Sequence, residues 1–262
     1  ALAGDPGKAI DHLAQCVAGS IDAAEYDEMP FRHLRLERVF PDDIYAAMLA
    51  AMPLSGEYRP MSGRARSHDL ADGTHTRLKI DLFPEYIRGL PEPKRRVWSA
   101  VGAALCSATV RDAFRGRLAP GLAARFGAAA SQIGLYPVPI LTRDFPGYEI
   151  GPHPDTHWKG ITVQLYLPRD ASNAHVGTAF HERGPDGSFA WRKQMPFSPN
   201  SGYAFVVDKA TWHSAGPIGP EVTARDSILL TYFVDRGALR LLRNRGKRLG
   251  TFALNGRRRR RR

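Results

Sequence analysis

The stretch His153-Pro154-Asp155-Thr156-His157-Trp158-Lys159-Gly160-Ile161-Thr162-Val163-Gln164-Leu165-Tyr166-Leu167-Pro168 joins a pair of metal-ligating residue types to a run of strand formers. From Gly160 the residues are mostly β-branched or aromatic, and Pro168 closes the run. This predicts a strand with His153 and Asp155 at its entry. His157 follows His153 by four residues, roughly 13 Å in extended chain, too far to share one ion. A metal at His153 and Asp155 therefore needs its third ligand from elsewhere. His213 is the candidate: it follows the strand-like Gly202-Tyr203-Ala204-Phe205-Val206-Val207 and precedes a loop punctuated by Gly216, Pro217, Gly219 and Pro220. Two imidazoles and one carboxylate occupy one face of an iron(II) ion and leave the other open for a cosubstrate and oxygen. His175 and His181 lie nearby in sequence and are read as surface or supporting groups.

A second strand begins at Arg225-Asp226-Ser227 and continues apolar through Val234. Residues two apart in a strand share a face, so Arg225 and Ser227 point together while Asp226 points away. Arginine suits a buried dicarboxylate because its planar fork donates two parallel charge-assisted hydrogen bonds and stays protonated.

On Tyr148-Glu149-Ile150-Gly151-Pro152-His153-Pro154-Asp155, Leu165-Tyr166-Leu167-Pro168, Thr211-Trp212-His213-Ser214 and Arg225-Asp226-Ser227, the chain resembles the 2-oxoglutarate- and iron(II)-dependent oxygenases, most closely their prolyl-hydroxylase-like branch. The resemblance spans roughly residues 130 to 235. It implies that His153, Asp155 and His213 bind Fe(II), that Arg225 pairs with the far carboxylate of 2-oxoglutarate assisted by Ser227, and that Tyr166 touches the same cosubstrate. It further implies a reaction consuming O2 and releasing succinate and CO2 as an aliphatic carbon of an amino acid, peptidyl residue or other small molecule is hydroxylated. Related halogenases carry a small residue in place of the carboxylate, so Asp155 favours hydroxylation.

Composition adds bounds. At 262 residues and 43% hydrophobic, the chain is long enough to bury a sizeable core. No apolar stretch approaches the roughly 18 to 20 residues that span a bilayer. Ala1-Leu2-Ala3-Gly4-Asp5 lacks a basic segment followed by an apolar core, so no signal peptide is expected. The two cysteines, Cys16 and Cys106, give no disulfide framework, which makes a reducing cytoplasm the expected compartment. The net charge of +11 is concentrated at one end: twelve of the 37 Lys and Arg lie from Arg236 onward, where there is no Asp or Glu. Residues 1–235 hold 25 cations against 26 anions, so the body is nearly neutral. The Arg257–Arg262 run is expected to stay solvated, touching nucleic acid only non-specifically.

The first half reads as helical and the second as β. Residues 9–24 have helical spacing, Pro41-Asp42-Asp43 opens a short helix through Met52, and 93–126 reads as one or two alanine-rich helices. Between them, 33–40 alternates like an edge strand, 62–74 is a loop, and 76–82 is another strand. From Gln132 short strands recur, including a hairpin turning on Gly184-Pro185-Asp186-Gly187. The prediction is an α+β chain with a mainly β core: a double-stranded β-helix, or jelly roll, over 131–235, an elaboration of helices and strands over 1–130 packed as a layer on it, and a basic segment over 236–262.

Two rival functions are open to the same residues. A nucleic-acid demethylating oxygenase would carry a second arginine six residues after the first, where this chain has Thr231. A cupin-like metal protein without oxygenase activity would use the same three ligands but have no need of Arg225. Candidate rim residues for the substrate are Arg143, Tyr148, Trp158, Lys159, Glu182 and Trp191.

Overall fold

The computed structural model describes residues 5–61, 69–127 and 129–235. The arginine-rich segment over 236–262 and part of the expected 62–74 loop lie outside the described residues. Helix α1 (Pro6–Asp22) starts on Asp5, whose side chain accepts from Gly7 N at 2.8 Å, and buries Leu13, Ala14, Val17 and Ile21 along one stripe. Strands β1 (Glu25–Asp27) and β2 (His33–Glu37) follow, then α2 (Asp42–Ala50), β3 (Arg59–Pro60), β4 (Arg77–Asp81) and α3 (Pro84–Ile87). The 93–126 region forms three helices rather than one or two: α4 (Glu92–Leu105), α5 (Ala108–Arg117) and α6 (Ala119–Phe126). Ser107 accepts from Val110 N and so starts a new helix after α4, and Pro120 occupies the first turn of α6.

The second half is β: β5 (Gly134–Asp144), β6 (Ile150–His153), β7 (Lys159–Tyr166), β8 (Thr178–Arg183), β9 (Phe189–Met195), β10 (Ser201–Val206), β11 (Trp212–Ala215) and β12 (Arg225–Asp235). They form two sheets, an eight-stranded one in the order β1-β2-β10-β7-β12-β5-β4-β3 and a four-stranded one in the order β6-β11-β8-β9. Every pairing is antiparallel, and among the described residues no ladder joins the two sheets. The N-terminal region is thus more than a layer on the β core, because β1 to β4 extend both edges of the large sheet. The strand expected at an edge, β2, lies between β1 and β10.

The large sheet has two differently used faces. Ile161, Val163, Leu165, Ile228, Leu230 and Tyr232 pack with Trp98, Phe114 and Leu122 of the helical layer. Each such aliphatic side chain contributes roughly 1.5–3 kcal/mol on full burial. Gly102 lets α4 approach the end of β4, since a Cβ there would lie 2.3 Å from the Leu82 carbonyl oxygen. The opposite face looks onto the small sheet, where Tyr166, Tyr203 and Phe205 meet Phe180, Met195 and Ala215. Pro137 and Pro139 sit in β5, which is paired with β12 throughout; its other side is paired with β4 only over residues 140–144, so the two prolines fall where that side carries no ladder. The inner face between the sheets carries the polar residues.

Candidate metal centre

β6 and β11 are neighbours, and their register sets His153 opposite His213. The two rings lie 4.4 Å apart between centroids. Pro154 follows His153 and favours extended backbone there, carrying the chain to Asp155. One ligand atom from each of His153, Asp155 and His213 lies within 4.8 Å of the other two, and this is the grouping of three metal-ligating residues found among the described residues.

The hydrogen bonds suit each side chain to a metal. His153 Nδ1 is 3.0 Å from the Gly151 carbonyl, and His213 Nδ1 is 3.1 Å from the Thr211 carbonyl. A carbonyl only accepts, so each Nδ1 carries the proton and each Nε2 keeps a lone pair. Burial pushes the His213 imidazole down to about 4, against the opposing pull of Asp155, so it is neutral near pH 7. Asp155 Oδ1 accepts from Lys159 Nζ at 2.5 Å and Oδ2 from Thr162 Oγ1 at 2.6 Å. Burial raises the Asp155 carboxyl, but the charges of Lys159 and His213 and the hydrogen bonds from Lys159 and Thr162 outweigh it and bring it to about 2. Each carboxylate oxygen retains a lone pair, so the donor set fits a divalent iron.

The other histidines are placed elsewhere. His157 packs on Trp158, His175 pairs with Glu221 at 3.6 Å, and His181 is 2.7 Å from Ser214 Oγ.

Arg225 lies on the same inner face, 3% exposed. Its Nε and one terminal nitrogen donate to Asp144 Oδ2 at 3.1 and 2.8 Å, and the other terminal nitrogen donates to the Val176 carbonyl at 2.8 Å. Three of its five N–H groups are therefore committed, leaving two without a protein acceptor among the described residues. Arg77 holds the same carboxylate through Asp144 Oδ1 at 2.5 Å and Oδ2 at 2.8 Å, and the Tyr148 ring lies under both guanidiniums at 4.1 and 5.4 Å. Burial raises the Asp144 carboxyl, but Arg77 and Arg225 together hold it below the usual carboxylate range. Two guanidiniums on one carboxylate leave this buried cluster with one uncompensated positive charge.

Ser227, next to Arg225 on this face, has Oγ 2.5 Å from Gln164 Nε2 and 2.9 Å from Thr142 Oγ1. Tyr166 faces Ser227 across the β7–β12 ladder, and its hydroxyl donates to Thr178 Oγ1 at 2.8 Å. Among the rim candidates, Lys159 touches Asp155 and Tyr148 underlies the arginines. Arg143 is turned to the opposite face, where it binds Asp226 at 2.8 and 2.9 Å and the Pro53 carbonyl at 3.1 Å. Glu182 pairs with Arg192, and Trp158 and Trp191 are exposed. Sequence reasoning did not single out Arg77, Asp144, Thr142, Thr162 or Gln164. The available signal was polar alternation inside strand-like runs, Arg77-Leu78-Lys79-Ile80-Asp81 and Ile161-Thr162-Val163-Gln164-Leu165, whereas Thr142-Arg143-Asp144 is polar throughout and gives none.

No family model matches the chain, and no curated protein does. Among solved structures, a prolyl-4-hydroxylase from Pseudomonas putida superposes with a TM-score of 0.50 at 16% identity, covering 83% of this chain and 98% of that one. The chain has a prolyl-4-hydroxylase fold. A prolyl hydroxylase from Trichoplax adhaerens, solved with a hypoxia inducible factor peptide fragment, aligns at 12% identity over 86% of this chain and 91% of its own, with a TM-score of 0.49. An oxidoreductase of the 2OG-Fe(II) oxygenase family from Burkholderia pseudomallei aligns at 12% identity over 90% and 93%, with a TM-score of 0.46. At these identities the likeness to the Pseudomonas enzyme is one of fold, and the chemistry is argued from the residues. Among the described residues no helix is long and apolar enough to cross a membrane.

Proposed function

We propose that this protein is a 2-oxoglutarate- and iron(II)-dependent dioxygenase of the prolyl-hydroxylase-like kind, working in a reducing cytoplasm. Its core is read as a double-stranded β-helix made of the small sheet and the central strands of the large one. The reaction is hydroxylation of an aliphatic carbon in an amino acid, peptidyl residue or other small molecule, with succinate and CO2 released. The observation that carries this reading is the conjunction of two Nε2 lone pairs and an ionised carboxylate with a buried arginine that has two N–H groups left over. A metal-binding protein that takes no dicarboxylate has no use for the second half of that conjunction.

In this reading His153, Asp155 and His213 hold Fe(II), which once bound supplies the oxidative decarboxylation of 2-oxoglutarate by O2 and the oxidation of the substrate carbon. The protein binds, orients and excludes water. Arg225 directs its two remaining N–H groups to the far carboxylate of 2-oxoglutarate, and Asp144 holds the guanidinium in that orientation. Gln164 Nε2 donates to the Ser227 hydroxyl oxygen and holds that hydroxyl beside Arg225, where it assists in binding the same carboxylate. Tyr166, across the ladder from Ser227, walls the cosubstrate pocket. Phe205 packs against His213 at 5.2 Å and keeps water from that side of the metal. At the position where a nucleic-acid demethylating oxygenase would place a second arginine, the chain has a buried threonine, Thr231, which favours the small-molecule or peptide reading.

The test is succinate formation from 2-oxoglutarate by the Fe(II)-loaded full chain, in wild type and in Arg225→Ala. The expected result is turnover in the wild type and a loss of at least about 100-fold in the variant at sub-saturating 2-oxoglutarate, as for removal of a buried bidentate carboxylate partner worth about 3 kcal/mol. Equal turnover in both ends the cosubstrate assignment.

A further inference from the structure

β4 presents a second cationic unit to the inner face, and the cosubstrate reading leaves it unused. Arg77, Lys79 and Asp81 alternate along the strand, while Ile80 between them packs into the helical core. The three therefore share the face that looks between the sheets. The ladders set Lys79 beside Thr142 of β5, and Thr142 beside Ser227 of β12. Lys79 thus stands two strands, or about 10 Å, from the backbone of Ser227. On its other side Arg59 of β3 is its register partner.

Asp81 is the carboxylate that both cations share. Arg59 donates to Asp81 Oδ2, and the Lys79 ammonium lies 3.5 and 3.4 Å from the two Asp81 oxygens, at the outer limit of a hydrogen bond. Arg59 Nε is shielded from solvent and has no acceptor among the described residues. The Lys79 side chain is only 16% exposed, and burial, with the neighbouring Arg59 charge adding to it and Asp81 opposing, lowers its ammonium from the ordinary value. Two cations on one carboxylate leave a net charge of +1 and several N–H donors without partners among the described residues. The Arg77, Asp144 and Arg225 cluster has the same surplus on the same face. One monoanion, the far carboxylate of 2-oxoglutarate, neutralises that cluster; the Lys79 unit calls for another.

We propose that Lys79 and Arg59 bind a carboxylate of the substrate, so that the enzyme acts on carboxylate-bearing small molecules and takes the substrate from the β3–β4 side of the cosubstrate. This rests on the dioxygenase reading above. The match is to a monoanion: a phosphate monoester carries about −1.5 to −2 near neutral pH and would overcompensate a single positive charge.

The experiment uses the Fe(II)-loaded full chain with 2-oxoglutarate and O2. The probes are the twenty L-amino acids and their N-acetyl derivatives, each paired with its primary amide. Succinate formed with no probe reports on the dioxygenase reading by itself, so a failure there is distinct from a failure here. The inference expects stimulation of succinate release, and gain of one oxygen atom by the probe, with at least one acid and at least tenfold less with its amide. Lys79→Gln should raise the half-saturating concentration of that acid tenfold or more while changing that of 2-oxoglutarate less than twofold. Lys79→Arg, which keeps the cation, should restore the preference for the acid and so controls for a folding defect. Equal stimulation by acid and amide, no stimulation by any acid, or a Lys79→Gln effect on 2-oxoglutarate in place of the acid would each overturn the proposal.

Discussion

Asp144 and Arg225 meet through a single carboxylate oxygen: Asp144 Oδ2 accepts from both Arg225 Nε and a terminal nitrogen, while Arg77 is bonded to both oxygens of the same group. Asp144 is 0% exposed and Arg225 3%, so Arg225 cannot turn to water if the carboxylate is lost. Asp144→Asn keeps the shape but leaves the buried Arg225 guanidinium facing that of Arg77 with no anion between them. Breaking a buried ion pair from one side costs about 3–5 kcal/mol, and at about 2–4 °C per kcal/mol for a chain of this size Tm should fall by about 6–20 °C. A thermal melt of the purified variant measures this, and a fall below about 3 °C would mean that the cluster is not held as described.

The same carboxylate sets an acid limit. Because the folded protein holds Asp144 below its ordinary value, near 3.9 when unfolded, its contribution is fully present above that value. It is lost as pH falls below about 4 toward the folded value, where the folded state must take up a proton that the unfolded chain already carries. Urea midpoints measured from pH 6 to pH 3 should therefore drop more steeply below about pH 4 in wild type than in Asp144→Asn. Parallel curves would remove Asp144 from the acid response.

The cluster of two imidazoles and a carboxylate was legible in the sequence and the arginine cluster was only half so, for a physical reason. His153, Asp155 and His213 are recognisable because their side-chain chemistry is rare in combination and each sits at a strand end that local residue types announce. Arg225 was readable from its strand alternation with Ser227. Its partner Asp144 lies 81 residues away, and Arg77 lies 67 residues from Asp144, so both contacts depend on strand order, which local pattern does not encode. The placement of β5 between β12 and β4 creates the cluster. Period-two alternation puts Arg143 and its neighbour Asp144 on opposite faces, but which of the two faces inward is set by the same strand order. The break between α4 and α5 was also in reach, through the N-cap at Ser107, and was masked by the alanine-rich run around it.

His213→Ala and His153→Ala each leave one imidazole and one carboxylate. Loss of an outer partner alone typically costs 10–100-fold in metal affinity, so loss of a direct ligand should weaken Fe(II) or Co(II) binding by at least about 100-fold. His157→Ala and His181→Ala, which lie outside the cluster, should bind the metal as the wild type does. Anaerobic titration with Co(II), followed by its visible absorption, distinguishes the two pairs. Weakened binding in His157→Ala would relocate the site.

Lys159 and Thr162 both bond to Asp155, yet their removal should have opposite effects on the metal. Thr162 Oγ1 is a neutral donor at 2.6 Å that fixes the carboxylate without opposing a cation, so Thr162→Val should weaken metal binding about 10–100-fold. Lys159 Nζ, at 2.5 Å from Oδ1, places a positive charge beside the carboxylate that would hold a divalent ion. Removing that repulsion with Lys159→Met should tighten binding by roughly tenfold or more, because a +1 and a +2 charge about 5 Å apart repel by over 1 kcal/mol even in water. Co(II) titration of both variants at low and high salt gives the comparison. Weaker binding in Lys159→Met would assign the lysine to orienting Asp155 rather than to opposing the metal.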